Sequence, residues 1–299
     1  MSFTDVKKIK SVDLTTITPS FKQLDYLWCC IASVADQEGV EVEHIVQDGG
    51  TKGFADFAKQ MARQWPNRNG YQRIMVSEQD GGMYDAINRG LKRAKGKVCA
   101  YLNCDEQYLP GVLSMIWASF QKNPSVEVVL GDVIVVGTDG EAVCHRKMVK
   151  PGLAHTWTCH FGALTAGIFF REKLVNEGLL FDTSYRVASD AEWFVRVLQS
   201  GKKVQPLRRT TSTFMESGEN LGLSSAAKEE RARLDASAPP YFRALRPVWV
   251  LAHRVRRLWS GAHRSDDVAY EVYLPKSDKR KAFTAKKLRT TWPGRIFNF

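Results

Sequence analysis

EQDGGMYDAINRGLKRAKGKVCAYLNCDE, residues 78–106, carries the pattern from which the fold is read. Its first residues close the predicted strand YQRIMVSEQDGG (71–82), which ends in an acid and two glycines. MYDAINRGLKRAK (83–95) then places Met83, Ile87, Leu91 and Ala94 along one side of a helix. KVCAYLN (97–103) returns to a strand, and Asn103, Asp105 and Glu106 arrive together at its end, before Pro110 breaks the chain. Carboxylates at the end of a buried strand either cap a helix or hold a metal ion.

The same beat extends both ways. VDLTTITP (12–19) reads as a strand stopping at Pro19, and FKQLDYLWCCIASVADQ (21–37) as an amphipathic helix. EVEHIVQDGG (41–50) and FADFAKQMARQW (54–65) repeat strand and helix, as do LPGVLSMIWASFQK (109–122) and VEVVLGDVIVVG (126–137) in the reverse order. TAGIFFR (165–171) reads as a strand and SDAEWFVRVLQSG (189–201) as a helix ending at Gly201. This alternation implies an α/β fold, a mostly parallel sheet flanked by helices, with ligands bound outside the carboxyl ends of the strands. Asp48, Asp80 and Asp105 all fall at such ends. Any one alone reads as a helix N-cap; three on one sheet edge point to a polar site.

The 299 residues, 44% hydrophobic and 25% charged, suit one large α/β domain with an appendage or two small domains. No apolar run approaches the ~20 residues of a membrane span, and the N-terminus lacks an apolar signal region. Six cysteines without a CxxC pair read as reduced thiols in a cytosolic protein, with no zinc site among them. From Lys228 to Phe299 there are 17 Lys and Arg against 7 Asp and Glu, so this segment holds nearly all of the chain's +11. The division expected is a catalytic unit at 1–225 and a basic, mainly helical extension at 226–299. WVLAHRVRRLW (249–259) sets aromatics and arginines on an amphipathic helix, which suits an anionic membrane surface. The alternative is that it packs on the first unit with its charges solvated. No known nucleic-acid motif is present, so nucleic acid is not an expected partner.

Residues 78–106 resemble the central signature of the family 2 glycosyltransferases of GT-A fold: x-D-x-G, aromatic-D-A-x-N-x-G, A-x-G and L-N-x-D-D. Asp80, Gly82, Tyr84, Asp85, Ala86, Asn88, Gly90, Ala94, Gly96, Leu102, Asn103 and Asp105 fall in register. ITPSF (17–21) and HIVQDGGTKG (44–53) resemble two further blocks, and the resemblance extends over about residues 10–225. It implies a Rossmann-like GT-A domain that binds a UDP-sugar with Mg²⁺ or Mn²⁺.

By the same resemblance, Asp105 is the metal ligand of a D-x-D motif whose first position is Asn103 and whose middle is Cys104. Glu106 stands where a second Asp is usual, as a candidate contact for metal or donor sugar. Pro19, Ser20 and Phe21 border the base, Asp48 accepts from the uracil ring, and Asp80 lies near base or ribose. Gly82 permits close backbone approach, and Asn88 joins the nucleotide-sugar contacts. Asp190 occupies the position of the catalytic base, with Glu192 as a second acid on the same helix. Leu164, Thr165 and Ala166 depart from the family's Cys-His-Gln segment; His155 and His160 lie nearby as stand-ins or as ordinary satisfied histidines. ESGENLGLSS (216–225) loosely resembles a region that approaches the diphosphate.

The function expected is inverting transfer of a hexose or N-acetylhexosamine to a lipid-linked or nascent saccharide, in polysaccharide or cell-envelope glycan synthesis. The enzyme is expected in the cytoplasm, peripheral at the cytosolic face of the inner membrane. The alternatives are a non-catalytic sugar-nucleotide-binding or scaffold protein, and a nucleic-acid binder acting through the basic tail.

Overall fold

A parallel run of strands carries the first third of the chain. The structure is a computed structural model that describes residues 11–216, 224–275 and 277–293. β1 (Leu14–Ser20), α1 (Leu24–Ala35), β2 (Val42–Asp48), α2 (Phe54–Gln64), β3 (Tyr71–Ser77), α3 (Met83–Arg93) and β4 (Val98–Tyr101) alternate as the sequence predicts. These four strands pair in parallel, so their carboxyl ends share one edge.

β5 (Gln107–Tyr108), α4 (Val112–Lys122), β6 (Val128–Val136), β7 (Ala142–Arg146), α5 (Leu153–Thr158), β8 (Ile168–Arg171), α6 (Glu172–Asn176), α7 (Ser189–Gln199) and β9 (Val204–Met215) follow. The sheet order is β3-β2-β1-β4-β8-β6-β9-β5, with β7 beside β6. β8 runs antiparallel to both β4 and β6, so the second half of the sheet is mixed.

Packing fixes the edge on which the site is built. α3 buries Tyr84, Ile87 and Leu91 against the sheet. A Cβ on Gly90 would stand 2.5 Å from Ile17 Cγ2, so only glycine lets the helix settle onto β1. His44, a polar side chain inside the sheet, is paired: it bonds Thr18 Oγ1 at 2.9 Å and the Tyr71 hydroxyl at 3.2 Å.

α8 (Ser225–Ala236), α9 (Pro240–Ala244) and α10 (Arg246–Trp259) open the extension. They are followed by a hairpin that the sequence reading missed, β10 (Asp266–Tyr273) with β11 (Arg280–Leu288). Its signal was the period-2 alternation of Val268, Tyr270 and Val272 among polar residues. These three join the main core with Leu14, Val98 and Phe169. Arg280, only 7% exposed, forks onto Asp36 at the end of α1 at 2.6 and 2.8 Å. The hairpin is therefore part of the body, its charges partly paired rather than all solvated.

Candidate functional site

The carboxyl edge of β1–β4 gathers the expected nucleotide residues. Ser20 and Asp48 are register partners at the ends of β1 and β2. Just beyond them, a Cβ on Gly49 would lie 3.1 Å from Asp80 Oδ2 and 3.2 Å from the Phe21 ring. Phe21, Gly49 and Asp80 thus bound one recess. Phe21 is 55% exposed, with Lys22 Nζ 4.6 Å from its ring centroid. Asp80 Oδ1 accepts the N–H of Gly82, whose φ of +116° only glycine holds without strain.

Asp48 is buried, and its carboxylate accepts from the Gly50 and Thr51 backbone N–H groups and from the Thr51 and Ser77 hydroxyls. In the structure it braces the loop beneath the recess.

Past β4 the chain turns tightly, with the Glu106 N–H donating to Asn103 O and the Asn103 N–H donating to Glu106 Oε2 at 2.8 Å. Glu106 is fully buried, and burial with the adjacent Asp105 charge pushes its carboxyl up to about 8. Burial also raises Asp105. Buried oxygens without a protein hydrogen-bond partner gather here: Ser20 Oγ and Asn103 Oδ1. An oxygen-only donor set of Asp105 carboxylate and Asn103 amide oxygen fits a hard dication such as Mg²⁺ or Mn²⁺.

Asp190 opens α7. Its Oδ1 accepts the Ala191 N–H at 2.8 Å, and burial raises its carboxyl to about 6. The Tyr84 hydroxyl, which donates to Val187 O at 2.8 Å, stands beside the Asp190 N–H. Tyr101 relates this side to the Asp105–Glu106 turn: the charges of both Asp190 and Glu106 act on its phenol, whose buried hydroxyl has no protein hydrogen-bond partner. The floor is aromatic, with Phe181 against Tyr84, Tyr101 and Trp193 at 5.2–5.6 Å.

Some side-chain expectations are corrected. Asn88 is buried and bonds the Phe181 backbone reciprocally, at 2.8 and 2.9 Å, so it pins a loop rather than a ligand. The Cys104 side chain turns into an apolar cluster with Leu27, Val46 and Phe54 and meets Gln23 Oε1. Both Glu192 oxygens are held by Arg196 one turn on, at 2.6 and 2.8 Å, which removes Glu192 as a second acid. Glu106 is buried, with Oε2 taken by the Asn103 N–H and Oε1 without a protein partner. His155 and His160 do meet, together with His253 of α10. The loop resembling the diphosphate region lies largely outside the described residues.

Sequence reasoning missed Glu230. This α8 residue accepts the backbone N–H groups of Arg186, Val187 and Ala188, at 2.6, 2.9 and 2.8 Å. Arg231, its neighbour, donates to Thr156 O and Trp157 O at the end of α5. No motif marks either residue.

A parallel-rich sheet flanked by helices, with a mixed second half, is the architecture of the GT-A class. The solved structures agree in fold. S. aureus TarS 1-349 in complex with UDP-GlcNAc superposes with a TM-score of 0.59 at 17% identity, covering 83% of this chain and 73% of that one. PcManGT, a mannosyltransferase from Pyrobaculum calidifontis in complex with GDP-Man and Mn²⁺, gives 0.51 at 17%, covering 82% and 69%. Against the longer TarS chain the protein spans 60% of the partner's length.

In sequence, the chain is 26% identical over 185 residues to the PGL/p-HBAD biosynthesis glycosyltransferase of Mycobacterium tuberculosis, covering 60% of this chain and 67% of the relative. Residues 15–175, over half of the chain, match the profile of glycosyl transferase family 2. The chain belongs to that family.

Proposed function

We propose that this protein is an inverting, metal-dependent glycosyltransferase. It moves a hexose or N-acetylhexosamine from a UDP-sugar to a lipid-linked or nascent saccharide in polysaccharide or cell-envelope glycan synthesis. The observation that carries this reading is the pair of buried acids whose charges both reach Tyr101, Asp190 at the start of α7 and Glu106 beside Asp105 at the end of β4, each raised by burial. The UDP-GlcNAc complex of TarS supports the donor class, and the Mn²⁺ complex of PcManGT supports the metal.

Phe21 offers a ring face to the base, and Asp80 an acceptor beside it. Asp105 and Asn103 would hold the ion, whose charge would offset that of the departing diphosphate. Asp190 accepts the proton of the acceptor hydroxyl as that oxygen attacks the anomeric carbon opposite the diphosphate, so configuration inverts.

A membrane role rests on the outer face of α9 and α10. Tyr241, Leu245, Val248, Leu251, Leu258 and Trp259 are exposed there, Trp259 by 84%, with exposed Arg243 and Arg254 alongside. Such a stripe suits the headgroup boundary of an anionic membrane, at the cytosolic face. No helix among the described residues is long and apolar enough to cross a membrane.

A panel of UDP-sugars, with release of UDP and transfer to a membrane-lipid extract read with and without Mn²⁺, tests the proposal. Metal-dependent turnover of one sugar, abolished in Asp190→Asn, is expected. Tight UDP binding without turnover of any sugar would replace it with the binding-protein reading.

A further inference from the structure

α5 and the loop after it meet α10 in a cluster that the transfer chemistry above does not use. His155 and His253 stack with ring centroids 4.0 Å apart, and His160 sits edge-on to both at 4.5 and 5.3 Å. His155 and His253 are 3% and 7% exposed, yet His155 Nε2 and His253 Nδ1 have no hydrogen-bond partner. Buried polar atoms of this kind call for a ligand.

Three imidazoles with nitrogens within 4.8 Å of one another read first as a transition-metal site. The surroundings argue otherwise. Arg231, Arg256, Arg257 and Arg146 all bear on these rings, from α8, α10 and β7. None of the four pairs with a carboxylate among the described residues. Asp190 and Asp235 are the acids whose charge reaches Arg231, and Asp235 is already forked onto Arg246. Four guanidinium charges repel a dication and attract an anion. Arg231 Nη1 and Arg256 Nε are also buried without an acceptor. Gly152 leaves room for the Arg256 fork, since a Cβ there would lie 2.7 Å from Nη2. Burial and the nearby cations push the three imidazoles down to about 3, so at neutral pH each is uncharged and offers one N–H.

We propose that this cluster is a second anion site, separate from the Asp105 turn, that takes the phosphate or diphosphate of the acceptor. Guanidinium donors are plentiful, and no carboxylate among the described residues pairs with the four arginines, as phosphate recognition requires. Location agrees. α5 packs against α7, whose first residues carry Asp190, and Arg231 joins the cluster to that base. The other face of α10 is the exposed apolar stripe, so one helix borders both the cluster and the proposed membrane contact. The acceptor assignment rests on the glycosyltransferase reading; the anion site does not.

Binding is measured on the full chain, without metal, by calorimetry with inorganic pyrophosphate, a fifteen-carbon isoprenyl diphosphate and UDP. The expected result is metal-free binding of the first two, weakened at least tenfold by Arg257→Gln and by Arg231→Gln, and unchanged by Asp105→Asn. Arg231 also ties α8 to α5, so Arg257→Gln serves as the variant that leaves that tie in place. Tighter binding of the isoprenyl ester identifies a lipid-borne phosphate; equal binding identifies a water-soluble ester. No binding, binding indifferent to both arginine variants, or loss in Asp105→Asn would overturn the site. So would tight Zn²⁺ or Ni²⁺ binding that His253→Ala abolishes. A transferase failure with anion binding intact would remove the acceptor role and leave the site.

Discussion

Glu230 accepts the backbone N–H of Ala188 at 2.8 Å, two residues before Asp190, and holds the two preceding N–H groups as well. A residue from the extension thereby sets the entry of the helix that carries Asp190, the proposed base. Such carboxylate–amide bonds are charge-assisted and stronger than neutral ones. Glu230→Ala is expected to lower stability by about 2 kcal/mol, read by thermal melting. It is also expected to cut kcat with little change in UDP affinity. Equal kcat in the variant would leave Glu230 a purely structural cap.

Asp190→Asn keeps the shape of α7 and removes the proposed proton acceptor. The expected loss in kcat is roughly 10²–10⁴-fold, the range for a positioned general base. UDP binding should stay within about twofold of the wild type, an outcome that separates base from binding residue.

The Asp190 carboxyl is raised to about 6, and a base works only when deprotonated. kcat/KM should therefore be flat above that pH and fall about tenfold per unit below it. Burial sets the shift, with Arg231 and the Ala191 N–H opposing it. Removing the Arg231 charge in Arg231→Gln should move the midpoint upward; a midpoint that stays put would assign the limb to another group.

Asp105→Asn leaves the tight turn with Glu106 intact, because that turn is made by Asn103 backbone groups. The variant should lose the Mn²⁺ dependence of UDP binding while its melting temperature is kept. Unaltered Mn²⁺ dependence would move the ion elsewhere.

Trp259 and Leu251 protrude from α10, 84% and 62% exposed. Trp259→Glu with Leu251→Glu should abolish co-sedimentation with anionic vesicles and leave turnover of a soluble acceptor unchanged. Retained sedimentation would place the membrane contact on another face.

The carboxyl edge was legible because local patterns decide it. Strand periodicity located Asp48, Asp80 and Asp105, and the glycines marked the turns between them. The tasks of individual side chains were not legible. Asn88 sits at a helix position that reads as polar surface, yet the Phe181 loop covers it from 93 residues away. Glu192 shares a helix with Asp190, but its i,i+4 partner Arg196 claims it. Glu230 and the three histidines owe their roles to helices that meet only in the folded chain. The hairpin was hidden by its lysines and arginines, which mask a period-2 pattern of few apolar residues.

The Arg280–Asp36 fork spans 244 residues, and Tyr273 donates to the same Asp36 across 237. On a ribosome, α1 and the parallel strands emerge long before their final partners exist. During that interval the surface later covered by Val268, Tyr270 and Val272 lies bare, and Asp36 waits without its counter-charge. The main core is completed only when β10 and β11 arrive. C-terminal truncation is therefore expected to be a folding lesion before it is a loss of any binding tail.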